Sequence, residues 1–226
     1  GHPMNLWDDY YSTKDNYAAF NKRGEVISAA KALIGHNRAA TLGSVTVDNA
    51  HPFRFDHIYG SHNGTLLTTY GLEGDNEFDV DSKCLYKHVS IHGLDSAWET
   101  MCGAAALTFW DNKTETVNLI RNEERPLWIA TNKKGDVLFW ASEPWMIQIA
   151  AKSNRIEINA PSEIPTDTLH SYKPTATKFE EVEKRALKKS DTGMTSYGMV
   201  GPASRTYRRN TNTGTTSTTA SIKKED

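Results

Sequence analysis

Cysteine is nearly absent: 226 residues hold two, Cys84 in KCLY and Cys102 in MCGA, with no CxxC or other zinc-type spacing. That excludes a disulfide framework and a thiolate metal site, and it points to a reducing, cytoplasmic setting. No apolar run approaches the roughly eighteen residues that read as a bilayer span, so no membrane segment is expected. The N-terminus lacks the charged-then-apolar pattern of a secretory signal. An excess of charge is missing too. Against 28 acidic residues stand 26 basic ones, a net −2, so nucleic-acid binding by bulk positive charge is excluded. There is no internal repeat and no heptad array. Hydrophobic residues make up 38% and charged residues 24%, which is lean for one compact domain and implies a packed core diluted by a stretch that does not fold alone.

At about 150 residues per domain, the length fits one domain plus an extension. Composition breaks near residue 173, and all six tryptophans lie before it. A domain over 1–172 is expected. From Ser190 to Asp226, Thr and Ser fill 14 of 37 positions, too little apolar surface to offset the entropy of ordering. This tail is expected to be disordered in isolation. With Arg205, Arg208, Arg209, Lys223 and Lys224 it carries a net +2, which suits either a solubilising tail or a contact segment. Between them, in KFEEVEKRALKK (178–189), Phe179, Val182 and Ala186 share one helical face. A short amphipathic helix is expected over 173–189, with Phe179 and Val182 docked on the core.

Within the domain, GEVISAAKAL (24–33) suits strand or helix, and Ile34 to Arg38 reads as a strand. HIYGSH (57–62) reads as a short strand ending in an Asn63-Gly64 turn. Asp81 and Ser82 are helix-start residues, and Leu85, Val89 and His92 follow at helical spacing; Leu94 to Met101 continues as a second helix. Strands are expected at 105–111, 116–121, 126–131 and 137–142, separated by connectors rich in turn residues and charge. A helix follows at 143–152 and a last strand at 155–158. Helices before and after a strand meander indicate α+β or layered α/β.

Three clusters stand out: GHNRAATLG (35–43), NAHPF (49–53) and SHNGTL (61–66). With FDVDS (78–82) they resemble, in order, the motifs of the class II glutamine amidotransferase domain, an N-terminal-nucleophile hydrolase. GAAALTFWD, RNEERPLWIA and FWASEPWM resemble later pieces of that family, so the likeness runs from about residue 20 to about residue 150. The short, stand-alone form looks like bacteriophage-encoded members, which implies a host cytoplasm. The resemblance implies an α+β fold: a four-layer α/β/β/α sandwich with mostly antiparallel sheets. It also implies glutamine amide hydrolysis that delivers ammonia, with no cofactor and no metal.

The chemistry assigns roles to the matching positions. Hydrolysing an amide needs a nucleophile, a base and donors for the oxyanion. The resemblance gives the oxyanion hole to Asn63 and the Gly64 N–H, where the missing side chain lets an amide approach closely. It gives the α-carboxylate of glutamine or glutamate to Arg38, whose planar fork can bind both oxygens. It gives the α-ammonium to Asp81 and a pocket-lining role to Thr41. Blander readings stay open beside these: Asn63-Gly64 as a hairpin turn, Arg38 as a surface ion pair and Asp81 as a helix cap. Asn49, His51 and Pro52 read as structural. His36 and His62 read as holding loops through hydrogen bonds. His88 and His92 have metal-ligand spacing, but with no third ligand they read as a solvated helix face. Trp98, Trp110, Trp128, Trp140 and Trp145 read as core and rim packing.

One feature of the family is not matched. Its nucleophile is an N-terminal cysteine whose α-amine serves as base, whereas residue 1 here is glycine and only 35 residues precede His36. The nucleophile strand is therefore expected to be missing, and the chain to be inactive by itself. Cys84 and Cys102, both expected on helices, offer no free α-amine, and Cys84 reads as a core thiol. Three explanations stay open: a fragment or split protein, a relative that lost its catalytic strand, or a vector-derived Gly1-His2-Pro3 before a native Met4. Ammonia transfer would need a partner protein for the acceptor chemistry, and hydrolysis a partner supplying the N-terminal segment. The competing reading is a non-enzymatic viral binding or structural module on the same fold.

Overall fold

The computed structural model describes residues 31–37, 43–44 and 46–189, all within one compact unit. The expectations for residues 1–30, for Arg38 and Thr41, and for the tail from Ser190 lie outside the described residues.

The layering follows from one strand. In β3 (Cys102–Asp111), Ala105, Leu107 and Phe109 enter one apolar core, while Ala106 and Trp110 pack on another. A strand apolar on both faces is buried on both sides. It pairs antiparallel with β2 (Ile58–Thr68) and β4 (Thr116–Arg121). With β1 (Phe53–Phe55), β8 (Thr168–Pro174) and β9 (Phe179–Ala186) they form a sheet ordered β1-β2-β3-β4-β8-β9. One face of this sheet is covered by α1 (Asp81–Thr100), whose Leu85, Val89 and Trp98 pack among Ile58, Leu107, Phe109 and Ile120.

The other face meets a second sheet, ordered β6-β5-β7: β5 is Trp128–Thr131, β6 Leu138–Ala141 and β7 Ser162–Glu163. Val117 and Leu119 of the large sheet pack there against Leu127, Leu138 and Ile164, with Ile129 and Trp140 alongside. α2 (Pro144–Ser153) rests on β5 and β6 and buries Ile147 and Ala151. The order is helix, sheet, sheet, helix, and the strands within each sheet pair antiparallel throughout. This is the α+β sandwich the resemblance implies. Among the described residues no helix is long and apolar enough to cross a membrane.

α1 has the expected seam: Gly93, at φ 84°, breaks it between the two helices read from the sequence. A positive φ is cheap only where there is no Cβ. Trp98 is fully buried, and its indole N–H donates to Asp167 Oδ1 at 3.0 Å. Trp110 and Trp140 flank the second core, whereas Trp145 is 52% exposed.

Several expectations fail, each for a reason of pairing. Residues 178–189 hold a strand, β9, where a helix is expected. The open edge of β8 needs backbone partners, and β9 supplies them from Thr168↔Ala186 to Pro174↔Phe179. Its Glu- and Lys-rich outer face suits an edge strand that must not recruit another chain. Phe179 packs on the second core, but Val182 is 52% exposed and docks on nothing. A boundary at 172/173 would therefore cut through β8. Residues 34–37 form no regular element, because none of the described strands pairs with them. Residues 155–158 make one isolated bridge, Asn132↔Ile158, in place of a strand. Cys102 opens a strand rather than lying on a helix. β2 does not stop at residue 62; it runs through Asn63-Gly64 to Thr68, with β3 paired along its length.

Candidate functional site

β2 is a poor strand by composition, since Gly60, Asn63 and Gly64 are all weak strand formers. Tertiary contacts require them. A Cβ at Gly60 would run into the Tyr86 ring, whose hydroxyl donates to the Ser61 carbonyl at 2.6 Å. A Cβ at Gly64 would overlap the Ala104 carbonyl oxygen. Asn63-Gly64 is therefore not a hairpin turn. It is a flat point in a strand, packed against β3 on one side and facing a cavity on the other.

That cavity has a volume of about 190 Å³. β2 lines it with His62, Asn63, Gly64 and Thr65; the start of α1 adds Asp81 and Ser82; the segments before β1 add His36, Asn37 and His51; and the turn after β4 adds Arg125. Residues from all four motif clusters thus converge. Gly43, at φ 73°, lies so close to Val80 and the Asp79 carbonyl that a Cβ there would meet Val80 Cγ2 at 2.9 Å. Asn49 donates to the Ser44 carbonyl at 3.2 Å, and the His36 and His51 rings meet at 4.3 Å, tilted by 55°. His51 continues onto the buried Phe53 at 4.5 Å. Asn49 and His51 thus do structural work, as their sequence context suggests.

Asp81 is the first residue of α1, with Val80 in the cap position. Its Oδ2 accepts from the Leu66 N–H at 2.7 Å and its Oδ1 from the Ser82 N–H at 2.8 Å. The carboxyl thus ties the helix start to β2, where the helix dipole favours negative charge. A carboxylate offers about four acceptor positions, so capacity remains for a ligand donor.

His62 is clamped. Its Nε2–H donates to the Ala104 carbonyl at 3.1 Å, so Nδ1 accepts from the Ser82 hydroxyl at 2.9 Å. Burial pushes its pKa down, the Arg125 cation adds to that, and Asp81 opposes it. With both nitrogens engaged, His62 positions Ser82 and β2 and is no free base. The sign of its pH effect follows. The folded state binds the proton more weakly than the unfolded state, whose ordinary value is 6.5. The stabilisation is complete above that value and is lost as pH falls toward the folded value. Denaturation titrations should show stability declining from about pH 7 to pH 5, and His62→Gln should flatten the decline. His88, also pushed down by burial, adds in the same direction, so the slope shrinks rather than vanishes. An unchanged slope would rule out a buried neutral His62.

His88 is buried, which corrects the reading of a solvated face: its Nδ1 accepts from the Glu73 N–H at 3.2 Å and its Nε2 lies 2.9 Å from Ser96 Oγ. His92 Nε2 meets Glu73 Oε1 at 2.8 Å. Among the described residues no cluster of His, Cys, Asp and Glu suits a metal ion. Cys84 is a core thiol whose pKa burial pushes up to about 11, with Asp75 and Asp81 adding to the rise. Neither cysteine lines the cavity.

No family model matches the chain, and no curated protein does. Solved structures do. The chain is similar to glutamine phosphoribosylpyrophosphate amidotransferase from B. subtilis, complexed with ADP and GMP, at 19% identity and a TM-score of 0.47, over 67% of this chain and 35% of that one. It is similar also to a structure described as the allosteric regulatory enzyme of purine biosynthesis, at 19% identity and a TM-score of 0.44, over 60% of this chain and 32% of that one. The chain spans about a third of the length of each.

Sequence reading missed three contributors. Ser82 is seen there only as a helix starter. Arg125 lies in RNEERPL, a stretch noted for its resemblance without a role for that residue. Asn122, in the same stretch, is fully buried; its Nδ2 donates to the Gly103 carbonyl at 2.7 Å, and its Oδ1 accepts from the Ala105 and Glu124 N–H groups at 3.1 and 3.2 Å. The first arginine of that stretch, Arg121, is structural: it pairs with Glu163 at 3.1 Å across the two sheets. Only an excess of polar residues in an otherwise apolar meander could have flagged Asn122.

Proposed function

We propose that the cavity is an amino-acid amide site of the class II glutamine amidotransferase kind, taking glutamine or glutamate. In this reading Asn63 and the Gly64 N–H receive the side-chain carbonyl and stabilise its oxyanion. Asp81 takes the α-ammonium, and Arg38 and Thr41 complete the pocket. The supporting observation is convergence: Asn63 and Gly64 in mid-strand line one cavity with Asp81, seventeen residues on, at the start of the helix that packs across β2.

Hydrolysis is a separate matter. The family's nucleophile is an N-terminal cysteine, and both thiols of this sequence are internal and outside the cavity lining. Turnover is proposed to require a Cys-Gly segment at an N-terminus beside the cavity, with ammonia then passing to a partner protein.

Melting curves test the site. A ligand bound only by the folded state adds about 2.7 kcal/mol at a hundred times its Kd, a clear upward shift. Glutamine should give that shift, and Arg38→Ala and Asp81→Asn should each remove it. No shift at high millimolar glutamine sinks the amino-acid reading. Ammonia release measured on the same preparations, before and after fusion of a Cys-Gly segment, separates a dormant enzyme from a binding module.

A further inference from the structure

We infer that Arg125 is a second ligand-binding cation of the cavity, receiving the carboxylate of a zwitterionic amino acid whose ammonium lies toward Asp81; this rests on the amino-acid reading of the site. Asp81 and Arg125 both line the cavity, with opposite charges. Among the described residues they form no ion pair with each other, and no carboxylate lies within ion-pair distance of Arg125. Its Nη1 donates to the Glu124 carbonyl at 3.1 Å, which leaves most of the five guanidinium donors for other acceptors. Opposite charges held apart across one small cavity complement a molecule carrying both signs. The polar side chains of Asn63 and Thr65 line the same cavity and suit a neutral amide. A planar fork also matches a carboxylate in a way a point charge does not.

Arg125 is held in place rather than trailing in solvent. It sits in the tight turn between β4 and Leu127, and its N–H reaches back to the Asn122 carbonyl at 3.4 Å. Asn122 itself is locked by Gly103, Ala105 and the Glu124 N–H. Through that turn Asn122 acts as a positioning residue for Arg125. The Arg125 charge already reaches into the site, where it helps keep His62 neutral.

Calorimetric titration of the full chain with glutamine, and with glutaminamide in which the α-carboxylate is an amide, decides the matter. Arg125→Gln should weaken glutamine by roughly 10- to 100-fold, the range for a lost charge-assisted hydrogen bond. It should leave the ligand-free melting temperature unchanged and the weak binding of glutaminamide unaltered. Arg125→Lys should fall between, keeping the charge without the fork. Glutamine binding equal in wild type and Arg125→Gln overturns the assignment while the amino-acid site survives. Equal losses for glutamine and glutaminamide also overturn it, because they mark a general distortion. Failure of the wild type to bind glutamine overturns the amino-acid reading and this assignment together.

Discussion

Gly64→Ala should destabilise the fold by about 3 kcal/mol or more and, with it, eliminate the glutamine binding proposed above. Overpacking usually costs about 1–3 kcal/mol because flexible neighbours give way. Here the added methyl overlaps the Ala104 carbonyl oxygen and comes within 2.7 Å of its carbon. Those are main-chain atoms of the central strand β3, whose neighbouring residues Gly103 and Ala105 are held from the other side by Asn122. The methyl would also sit 2.5 Å from His62 Nε2, displacing the imidazole from the carbonyl it donates to. Relief requires β2 and β3 to separate at the point where Asn63 faces the cavity. Urea denaturation gives the number. Gly35→Ala, where a Cβ meets nothing within 4 Å, is the control and should stay within about 0.5 kcal/mol. A Gly64→Ala variant as stable as that control would mean β2 and β3 are not this close.

Asn122→Ala should cost about 3 kcal/mol, an unusually large loss for a polar side chain in a turn. The substitution removes three hydrogen bonds and leaves the Gly103 carbonyl and the Ala105 N–H without their side-chain partner. A buried group left unsatisfied costs about 1–3 kcal/mol. Asn122→Asp should do no better, since a carboxylate then faces the Gly103 carbonyl in a fully buried position. The turn carrying Arg125 would loosen, so glutamine affinity should drop along with stability. A loss below about 1 kcal/mol in urea would show that water or a local shift satisfies those groups, and that Asn122 is not the anchor of the turn.

Much of the fold was legible from local pattern. α1, its interruption at Gly93, the strand meander from β3 to β6, and α2 all follow periodicities carried by their own side chains. The layered architecture followed from a resemblance resting on short polar clusters. The errors share a cause. β9 carries a helix-like apolar spacing in Phe179, Val182 and Ala186, yet the unpaired edge of β8 made it a strand. β2 contains Asn-Gly, the strongest local turn signal, yet pairing with β3 along its whole length carries it through to Thr68. In each case a backbone partner outside the segment outweighed a preference written within it.

The site divides along the same line. Its amides, acid and glycines were identifiable from the sequence, because motif spacing preserves which residue types the chemistry needs. Their roles were not. Asn63-Gly64 could equally have been a hairpin turn until β2 was seen to run through it, and Asp81 both holds the start of α1 and lines the cavity. His62 could have been a base until Ser82 and Ala104 occupied both its nitrogens. Arg125 and Asn122 lie in a stretch that resembles the family, but nothing in it assigns either of them a role. By itself the sequence determined the secondary elements with strong internal period, the lack of a spanning segment, and the set of side chains available for binding. Only the tertiary structure decided which of them share a cavity, which are consumed in holding it, and that Asp81 and Arg125 face it as an unpaired couple. Those outcomes depend on contacts such as Leu66–Asp81, His62–Ser82 and His62–Ala104, 15, 20 and 42 positions apart, and no pattern within one segment encodes them.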